Sequence, residues 1–484
     1  MSSSAHFPDR DNFQRRSDEF ATWLSSRPGV KVNPKIRIAD LRANAAGRGV
    51  VAQADIDEDE ELFAIPRDLV LSTNNSKLKD LLSQDLDQLG PWLSLMLVMI
   101  FEYLQGDKST WAPYFKVLPQ NFDTLMFWSP AELEELQGSA VVEKIGRRGA
   151  EESILKFIVP VVQANPALFP PVSGLASYDG DVGAQALLDL AHTMGSLIMA
   201  YAFDIETLEN EDEREGEDGY LTDDEEEQSS KGMVPLADML NADANRNNAR
   251  LFQEEESLVM KAIKPIRAGE EIFNDYGEIP RSDLLRRYGY VTDNYAQYDV
   301  IELSLDSLCS SAGLSDSSVE NQPRLEFLEK LELLDDGYAI ARPSPNDTLT
   351  DIIPEELVVL LKTLTLSPEQ FAHQQQKQKP PKAAFGQGEA KILFDSIRMS
   401  QRRYSTTIEQ DQQLLAQIIQ SEVPSLLEGS DRRRKMAIQV RLGEKEIFEA
   451  VKAKINDHFT NGSNSKRIAD SDGDDLRRAK VQRT

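Results

Sequence analysis

The stretch PLADMLNAD, residues 235–243, decides how the chain is interpreted. An apolar segment from Val234 to Leu240 leads directly into Asn241 and then into the polar run ANRNNA. Such a change is typical of a strand that ends in a surface loop, and equally of one wall of a site. The segments before and after it in the chain decide between the two.

Length and charge set the first limits. The chain has 484 residues, more than one hydrophobic core usually serves, so we expect two domains or one domain with a large insert. The formal net charge is -29, and fourteen acidic residues against one basic residue lie between Asp204 and Glu227. Because a nucleic-acid binder needs a basic face, direct nucleic-acid binding is not expected. The acidity favours a basic protein partner, and solubility alone is an equally good explanation.

Cysteine, histidine and apolar patterns exclude several classes of protein. The single cysteine, Cys309, excludes an intramolecular disulfide framework and a cysteine-rich zinc cluster. The four histidines are far apart in the sequence, so no metal is predicted. The N-terminus lacks a secretory signal pattern, which predicts an intracellular protein. The longest apolar run, Pro91–Leu104, is shorter than the ~20 residues that span a bilayer and predicts a buried helix instead.

Changes in hydrophobic periodicity predict the organisation of the chain. Strand-like pieces with turn signals lie on both sides of a helical stretch, which predicts a helical insert within one sheet domain. A highly acidic segment is too poor in apolar residues to bury anything, so it is predicted to be a disordered loop. The predicted parts are an N-terminal helical segment (1–32), the sheet domain (33–295) with its insert (about 85–203) and acidic loop (about 206–231), a helical domain (300–455) and a disordered tail (456–484).

The tail carries two basic clusters that resemble a bipartite nuclear import signal. Lys466 and Arg467 form the first cluster, and a second begins at Arg477. The pattern predicts a nuclear protein, with the cytoplasm as a further location. Basic tails are common, so an ordinary solvated terminus is the alternative.

Four short stretches contain the candidate chemistry. They are GRGVVA (47–52), SLIMAYAF (196–203), the opening stretch, and EIFNDYGEIPRSDLLRRYGY (271–290). Each has a simple structural explanation when taken alone: a hairpin turn, helix packing, a strand ending in a loop, and aromatic packing. The chain has no phosphate-binding loop and no serine-nucleophile motif.

In this order and spacing, the stretches resemble the SET-domain protein-lysine methyltransferases of the Rubisco large-subunit methyltransferase class. The resemblance covers most of residues 15–455 and includes WAPYFKVLP in the insert and RYSTTIEQD (403–411). It implies an α+β fold: a SET-domain β-fold with a helical insert, followed by an all-α C-terminal substrate-binding domain. It also implies S-adenosylmethionine (AdoMet) as methyl donor. We further expect a monomer that does not bind membranes.

The resemblance implies a role for individual residues. Tyr276 corresponds to the catalytic tyrosine at the methyl-transfer channel. The implied cofactor-binding residues are Gly47, Arg48, Gly49, Tyr201, Asn241, Ala242 and Tyr288, with glycine allowing the backbone to approach the cofactor closely. The implied substrate-binding residues are Trp111, Ala202, Asp204 and Arg286, and helix packing explains the first three equally well.

These residue types suit methyl transfer to an amine. The reaction is an in-line displacement, so the enzyme must mainly align the lysine nitrogen, the methyl carbon and the sulfur. A free lysine has a pKa of ~10.4 and is protonated at neutral pH; a narrow aromatic channel disfavours that charged form. The implied function is methylation of a lysine in a basic non-histone protein.

One departure from the family pattern narrows the expected class of substrate. Many SET domains have histidine where this chain has Ala242, and Asn-Ala-Asp is similar to the fungal ribosomal-lysine methyltransferases. We therefore expect a ribosomal large-subunit protein as substrate. Two alternatives remain: an inactive SET-like protein-binding module, and a methyltransferase for another side chain such as histidine.

Overall fold

The computed structural model describes residues 12–42, 46–206, 230–314, 321–421 and 429–481. It divides the chain into two compact units. The first comprises residues 1–132, 143–295 and 418–436, and the second comprises residues 133–142, 296–417 and 437–484. Most of the segment predicted to be an acidic disordered loop, residues 207–229, lies outside the described residues.

The first unit combines short strands with helices. Its strands are β1 (Lys31–Val32), β2 (Ile36–Asp40), β3 (Arg48–Ala52), β4 (Glu61–Pro66), β5 (Leu71–Ser72), β6 (Ala202–Asp204), β7 (Lys231–Met233), β8 (Asn241–Ala242), β9 (Ala249–Gln253), β10 (Ser257–Ala262) and β11 (Glu271–Asn274). Its helices are α1 (Phe13–Ser25), α2 (Leu78–Leu81), α3 (Ser83–Asp87), α4 (Pro91–Leu104), α5 (Ala112–Phe115), α6 (Pro130–Leu133), α7 (Arg147–Ser153), α8 (Val159–Ala164), α9 (Gly180–Tyr201) and α10 (Arg281–Asp283).

The strands of the first unit form three small sheets. Their orders are β1-β4-β10-β9, β2-β3-β11-β8 and β5-β7-β6. Strand β3 is buried along its whole length, which explains its continuous apolar run after Gly49, because a strand covered on both faces does not alternate. Strand β8 runs parallel to β11, with Asn241 opposite Phe273. This pairing brings PLADMLNAD beside EIFNDYG.

The insert forms the helical part of the first unit. Helix α4 has a proline at its first turn, where the missing N–H costs nothing, and its residues from Ser94 to Glu102 are all buried. Helix α9 spans 22 residues, buries one face, and ends at Tyr201, where Ala202 takes an extended conformation and begins β6. The end of α9 therefore determines where Tyr201, Ala202 and Asp204 lie.

The second unit is mainly helical. Its helices are α11 (Leu305–Ser311), α12 (Gln322–Glu329), α13 (Leu349–Ile352), α14 (Glu355–Thr365), α15 (Pro368–Lys377), α16 (Gln387–Gln401), α17 (Ile408–Ser421) and α18 (Gly429–Val481), of which residues 418–436 belong to the first unit. It also contains an antiparallel strand pair, β12 (Val300–Ser304) and β13 (Gly337–Ala341). The family resemblance implied an all-α domain here, and the strand pair corrects that detail. Ile301, Leu303 and Ile340 are buried in the same core as the helices, which explains the pairing.

Helix α18 differs from the sequence-based expectation. We expected a disordered tail from residue 456, whereas the helix continues to Val481. No proline interrupts residues 429–481, so the backbone N–H groups after the first turn can all join the helical hydrogen-bond pattern. Within the described parts of the chain, no helix is long and apolar enough to cross a membrane.

Candidate active site

Two stacked tyrosines form the centre of the candidate site. The rings of Tyr276 and Tyr288 lie 4.3 Å apart, centroid to centroid, with an angle of 10° between their planes. Tyr276 follows the end of β11, and its hydroxyl donates a hydrogen bond of 3.4 Å to the backbone carbonyl of Leu240. Burial raises the pKa of Tyr276 well above its usual value, so the phenol keeps its proton at neutral pH.

The backbone after Tyr288 holds this tyrosine in place. Gly289 has a positive φ of 73°, a conformation that side chains rarely adopt. A Cβ atom there would lie 2.8 Å from the backbone nitrogen of Thr124. Glycine is therefore required in RYGY for both conformation and space, and this close approach holds Tyr288 at the end of a π-helical turn, Leu284–Tyr288.

Two cavities meet at the tyrosine pair. The smaller has a volume of about 40 Å³, and the larger has a volume of about 850 Å³. Tyr276 and Tyr288 line both. The smaller cavity is also lined by Arg48, Tyr201 and Asn241, all predicted to bind the cofactor. The larger cavity is also lined by Ala202, Asp204 and Arg286, all predicted to bind the substrate.

The remaining predicted residues lie outside the linings of both cavities. These residues are Gly47, Gly49, Trp111 and Ala242. The Trp111 side chain is buried in the core, and its indole donates a hydrogen bond of 2.9 Å to the carbonyl of Leu69. Ala242 is buried in β8, opposite Asn274. Substrate and cofactor roles for these four residues stay predictions.

The Arg48 side chain is directed into the protein. Its guanidinium donates hydrogen bonds to the Ser17 hydroxyl at 2.9 Å, to the carbonyl of Val117 at 3.0 Å and to the carbonyl of Phe13 at 3.2 Å. It also lies 3.9 Å from the centroid of the Phe13 ring. Burial lowers the pKa of Arg48 to about 10. Arg48 thus fixes the turn at the start of β3 against α1.

Gly49 has a packing role within the chain. A Cβ atom at Gly49 would lie 2.4 Å from a Leu41 methyl group, 2.9 Å from the Glu271 carboxylate and 3.0 Å from the Asn241 amide nitrogen. We predicted glycine here because of a close approach to the cofactor. The structure provides a different reason, since a side chain would displace Asn241 and its hydrogen-bond partner.

On the side of the larger cavity, Asp204 and Arg286 are each held in an ion pair. Asp204 lies opposite Lys231 in the pairing of β6 with β7, and their side chains form an ion pair of 2.9 Å. Arg286 donates to the Asp283 carboxylate at 2.8 Å. Most other lining residues are apolar, for example Met126 and Ile198. The larger cavity therefore offers an apolar surface with fixed charges.

Sequence reasoning missed Asp238, a buried acid in the lining of the smaller cavity. The Tyr114 hydroxyl donates to its Oδ2 atom, while Oδ1 is buried and has no hydrogen-bond partner among the described residues. Burial raises the pKa of the Asp238 carboxyl to about 7. The signal was present in the opening stretch, because Asp238 interrupts an otherwise apolar run.

The lining of the smaller cavity suits the reacting end of a cationic cofactor. Asp238 offers an unpartnered carboxylate oxygen, and Tyr201 and Tyr288 add aromatic rings that favour a positive charge. Cavities that hold a whole small molecule usually have volumes of ~300 Å³ or more. The smaller cavity can therefore hold only the few atoms at the reacting end of a cofactor. The described residues contain no group of three or more side chains that could hold a metal ion.

Comparison with known proteins places the chain in a family. Residues 47–277 match the SET domain, and residues 320–448 match the Rubisco LSMT substrate-binding domain. The chain is 34% identical to ribosomal lysine N-methyltransferase 4 of Saccharomyces cerevisiae, over 74% of this chain and 72% of that protein. The chain belongs to the SET-domain lysine methyltransferases. It is also 30% identical to N-lysine methyltransferase SETD6 of Rattus norvegicus, over 92% and 90% of the two chains.

Solved structures agree with this SET-domain fold. A structure of Rubisco LSMT bound to AdoMet has a TM-score of 0.64 at 21% identity, over 92% of both chains. A structure of the SET domain of LSMT bound to lysine and AdoHcy has a TM-score of 0.65 at 20% identity, over 92% of this chain and 91% of that one. The predicted fold class and the predicted enzyme class, a protein-lysine N-methyltransferase, are confirmed.

Proposed function

We propose that this chain transfers a methyl group from AdoMet to a lysine side chain of a ribosomal large-subunit protein. The observation that carries the proposal is the meeting of the two cavities at Tyr276 and Tyr288. The reacting end of AdoMet is assigned to the smaller cavity, and the substrate segment is assigned to the larger one. The transfer point is assigned to the junction of the two cavities, beside the stacked rings of Tyr276 and Tyr288.

The chain must align the reactants and remove a proton. AdoMet supplies the methyl group on a positively charged sulfonium, and the incoming lysine begins as an ammonium ion with a pKa of ~10.4. The unpartnered Oδ1 atom of Asp238 accepts the proton that this ammonium loses. The buried hydroxyl of Tyr276 and the carbonyl of Leu240 orient the amine, and the tyrosine rings exclude water from the transfer path.

Two observations support a ribosomal substrate. The relative from Saccharomyces cerevisiae is named a ribosomal lysine N-methyltransferase. The net charge of -29 favours association with a basic protein, because opposite net charges steer the encounter. In keeping with the sequence, we further propose a monomer that reaches the nucleus through its basic tail clusters and does not bind nucleic acid directly.

The direct test uses labelled AdoMet with a ribosomal protein extract. We expect label on a lysine of a large-subunit protein, located by mass spectrometry, and a loss of transfer of about 100-fold or more in Tyr276→Phe. Transfer to no protein would overturn the proposed activity. Label on a histidine would overturn the lysine assignment, and label only on non-ribosomal proteins would overturn the ribosomal one.

The location of the cofactor has a separate test. Binding of AdoHcy is measured by calorimetry, so the result does not depend on knowing the substrate. Asn241→Ala should weaken binding about fivefold or more, because it removes a hydrogen-bonding group from the smaller cavity. Asn247→Ala is the matched control, since the Asn247 side chain donates to the Asp275 carboxylate on an exposed surface. Equal affinity of both variants would contradict the assignment.

A further inference from the structure

Glu271 is a partly buried acid that the proposed mechanism does not use. It begins β11 and pairs with Val51 of β3. Because side chains alternate along a strand, Glu271 points to the same face as Phe273, which is the residue opposite Asn241. The Asn241 amide nitrogen donates a hydrogen bond of 2.6 Å to the Glu271 Oε1 atom.

The surroundings determine the orientation of the Asn241 amide. Its nitrogen also donates to the backbone carbonyl of Arg48, at 3.3 Å. An ionised carboxylate and a carbonyl accept hydrogen bonds and cannot donate them, so both partners require the nitrogen side of the amide. An amide nitrogen has two hydrogens, and both are committed. The Asn241 carbonyl oxygen is therefore left as the acceptor available to a ligand of the smaller cavity.

We propose that Glu271 is a positioning residue for the cofactor: it holds the Asn241 amide so that its carbonyl oxygen accepts a hydrogen bond from a donor group of AdoMet. The inference rests on the proposed place of the cofactor at the smaller cavity. AdoMet carries an ammonium and an adenine amino group, and both are hydrogen-bond donors. The Asn241 carbonyl oxygen can accept from either, whereas an amide rotated by about 180° would present its NH₂ group, which is also a donor. Gly49 belongs to the same arrangement, because a Cβ atom there would displace both side chains.

The arrangement depends on the charge of Glu271. Burial raises the pKa of the Glu271 carboxyl, the hydrogen bond from Asn241 and the charge of Arg246 lower it, and the charge of Asp243 raises it. When Glu271 takes up a proton, it becomes a donor and can pair with the Asn241 oxygen. The amide can then rotate and present its nitrogen to the cofactor, which removes the acceptor.

The test measures AdoHcy affinity by calorimetry in the full chain. AdoHcy has no sulfonium charge, so its binding is less sensitive to Asp238. At pH 7.5 we expect Glu271→Gln to bind AdoHcy about fivefold to tenfold more weakly than the wild type, because a glutamine no longer fixes one amide orientation. The matched control is Glu270→Gln, since Glu270 is exposed and accepts from the backbone nitrogen of Arg267. Its affinity should stay within about twofold of the wild type.

A pH series distinguishes positioning from a general loss of structure. As the pH is lowered from 7.5, the affinity of the wild type should fall, that of Glu271→Gln should fall less, and that of Asp238→Asn should still fall. The KM for AdoMet should rise in Glu271→Gln, and the KM for the protein substrate should not.

Three results would overturn the inference, and they are distinguishable. If Asn241→Ala binds AdoHcy normally, the proposed cofactor site is wrong and the inference fails with it. If Asn241→Ala binds AdoHcy weakly while Glu271→Gln binds it as tightly as Glu270→Gln, only the role of Glu271 is wrong. If Glu271→Gln fails to fold, the test rests on the pH series of Asp238→Asn. An AdoHcy affinity of Asp238→Asn that does not change with pH would then contradict the inference.

Discussion

Replacement of Asp238 by asparagine should make the protein more stable at alkaline pH and much less active. Asparagine has nearly the same shape, and its carbonyl oxygen can still accept the hydrogen bond from the Tyr114 hydroxyl. It cannot ionise, and it cannot take a proton from a substrate lysine. One substitution therefore separates the stability cost of the buried carboxylate from its proposed role as proton acceptor.

The magnitude follows from the raised pKa. Burial moves the pKa of Asp238 from 3.8 to about 7. The folded state thus holds the proton more tightly than the unfolded state, so the contribution of Asp238 to stability falls as pH rises from about 4 to about 7. At 1.36 kcal/mol per pKa unit the full loss is about 4 kcal/mol, and the part lost above pH 5.5 is about 2 kcal/mol. Asparagine avoids this loss, although its buried amide nitrogen costs about 1–3 kcal/mol at every pH.

The assay compares the melting temperatures of both proteins at pH 5.5 and pH 8.5. We expect the wild type to lose about 4 °C more than Asp238→Asn between the two values, at roughly 2 °C per kcal/mol for a chain of this size. Glu444, whose pKa is also raised to about 7, is present in both proteins, so its contribution cancels. The kcat of the variant should fall about 100-fold or more. An identical pH dependence of both melting temperatures would contradict the raised pKa of Asp238.

Three further substitutions test the surroundings of the site and the second unit. Gly49→Ala places a methyl group 2.4 Å from a neighbouring leucine, so calorimetry should show weaker AdoHcy binding and a stability loss of about 1–3 kcal/mol; an unchanged affinity would contradict the packing argument. Arg48→Met removes three buried hydrogen bonds, and denaturant titration should show a loss of about 2–4 kcal/mol; a stable variant would show that the turn does not need this anchor. Asp411→Ala removes one of the two acids that pair with Arg441 and leaves the buried Lys445 ammonium without its carboxylate, at a cost of about 3 kcal/mol that melting curves should show; a melting temperature unchanged from the wild type would mean that Asp411 adds nothing to the stability of this unit.

Local sequence patterns were sufficient to predict the type of most elements. The apolar run from Pro91 predicted helix α4, and the run after Gly49 predicted strand β3, because in both cases the periodicity reflects burial. The pair β12 and β13 was not predicted. Its two strands are separated by residues 305–336, and no turn signal connects them, so only the shared core reveals the pairing.

The candidate site also contains some residues that the sequence predicted and others that only the structure reveals. Tyr276 and Tyr288 were identified by resemblance, and the structure stacks them as neighbours at the junction of two cavities. Asp238 and Glu271 were missed for physical reasons. Asp238 is a single acid within an apolar run, and Glu271 belongs to a pair of glutamates that is typical of a solvated strand end. Only the register that places Asn241 opposite Phe273 turns Glu271 toward the amide.

The stretch PLADMLNAD contains two features that reduce stability, and both lie at or next to the smaller cavity. Leu236 has a φ of 78°, a backbone conformation that costs a leucine about 1–3 kcal/mol. The short 3-10 turn Ala237–Met239 follows it directly and carries Asp238, whose buried carboxylate has an oxygen without a partner. A chain selected only for stability has no reason to keep both. The strained turn is what brings the acid to the smaller cavity, and the parallel pairing after it brings Asn241 to the same cavity. In the proposed function the two side chains have separate roles: Asp238 accepts the proton that the substrate lysine loses, and Asn241, positioned by Glu271, accepts a hydrogen bond from a donor group of AdoMet.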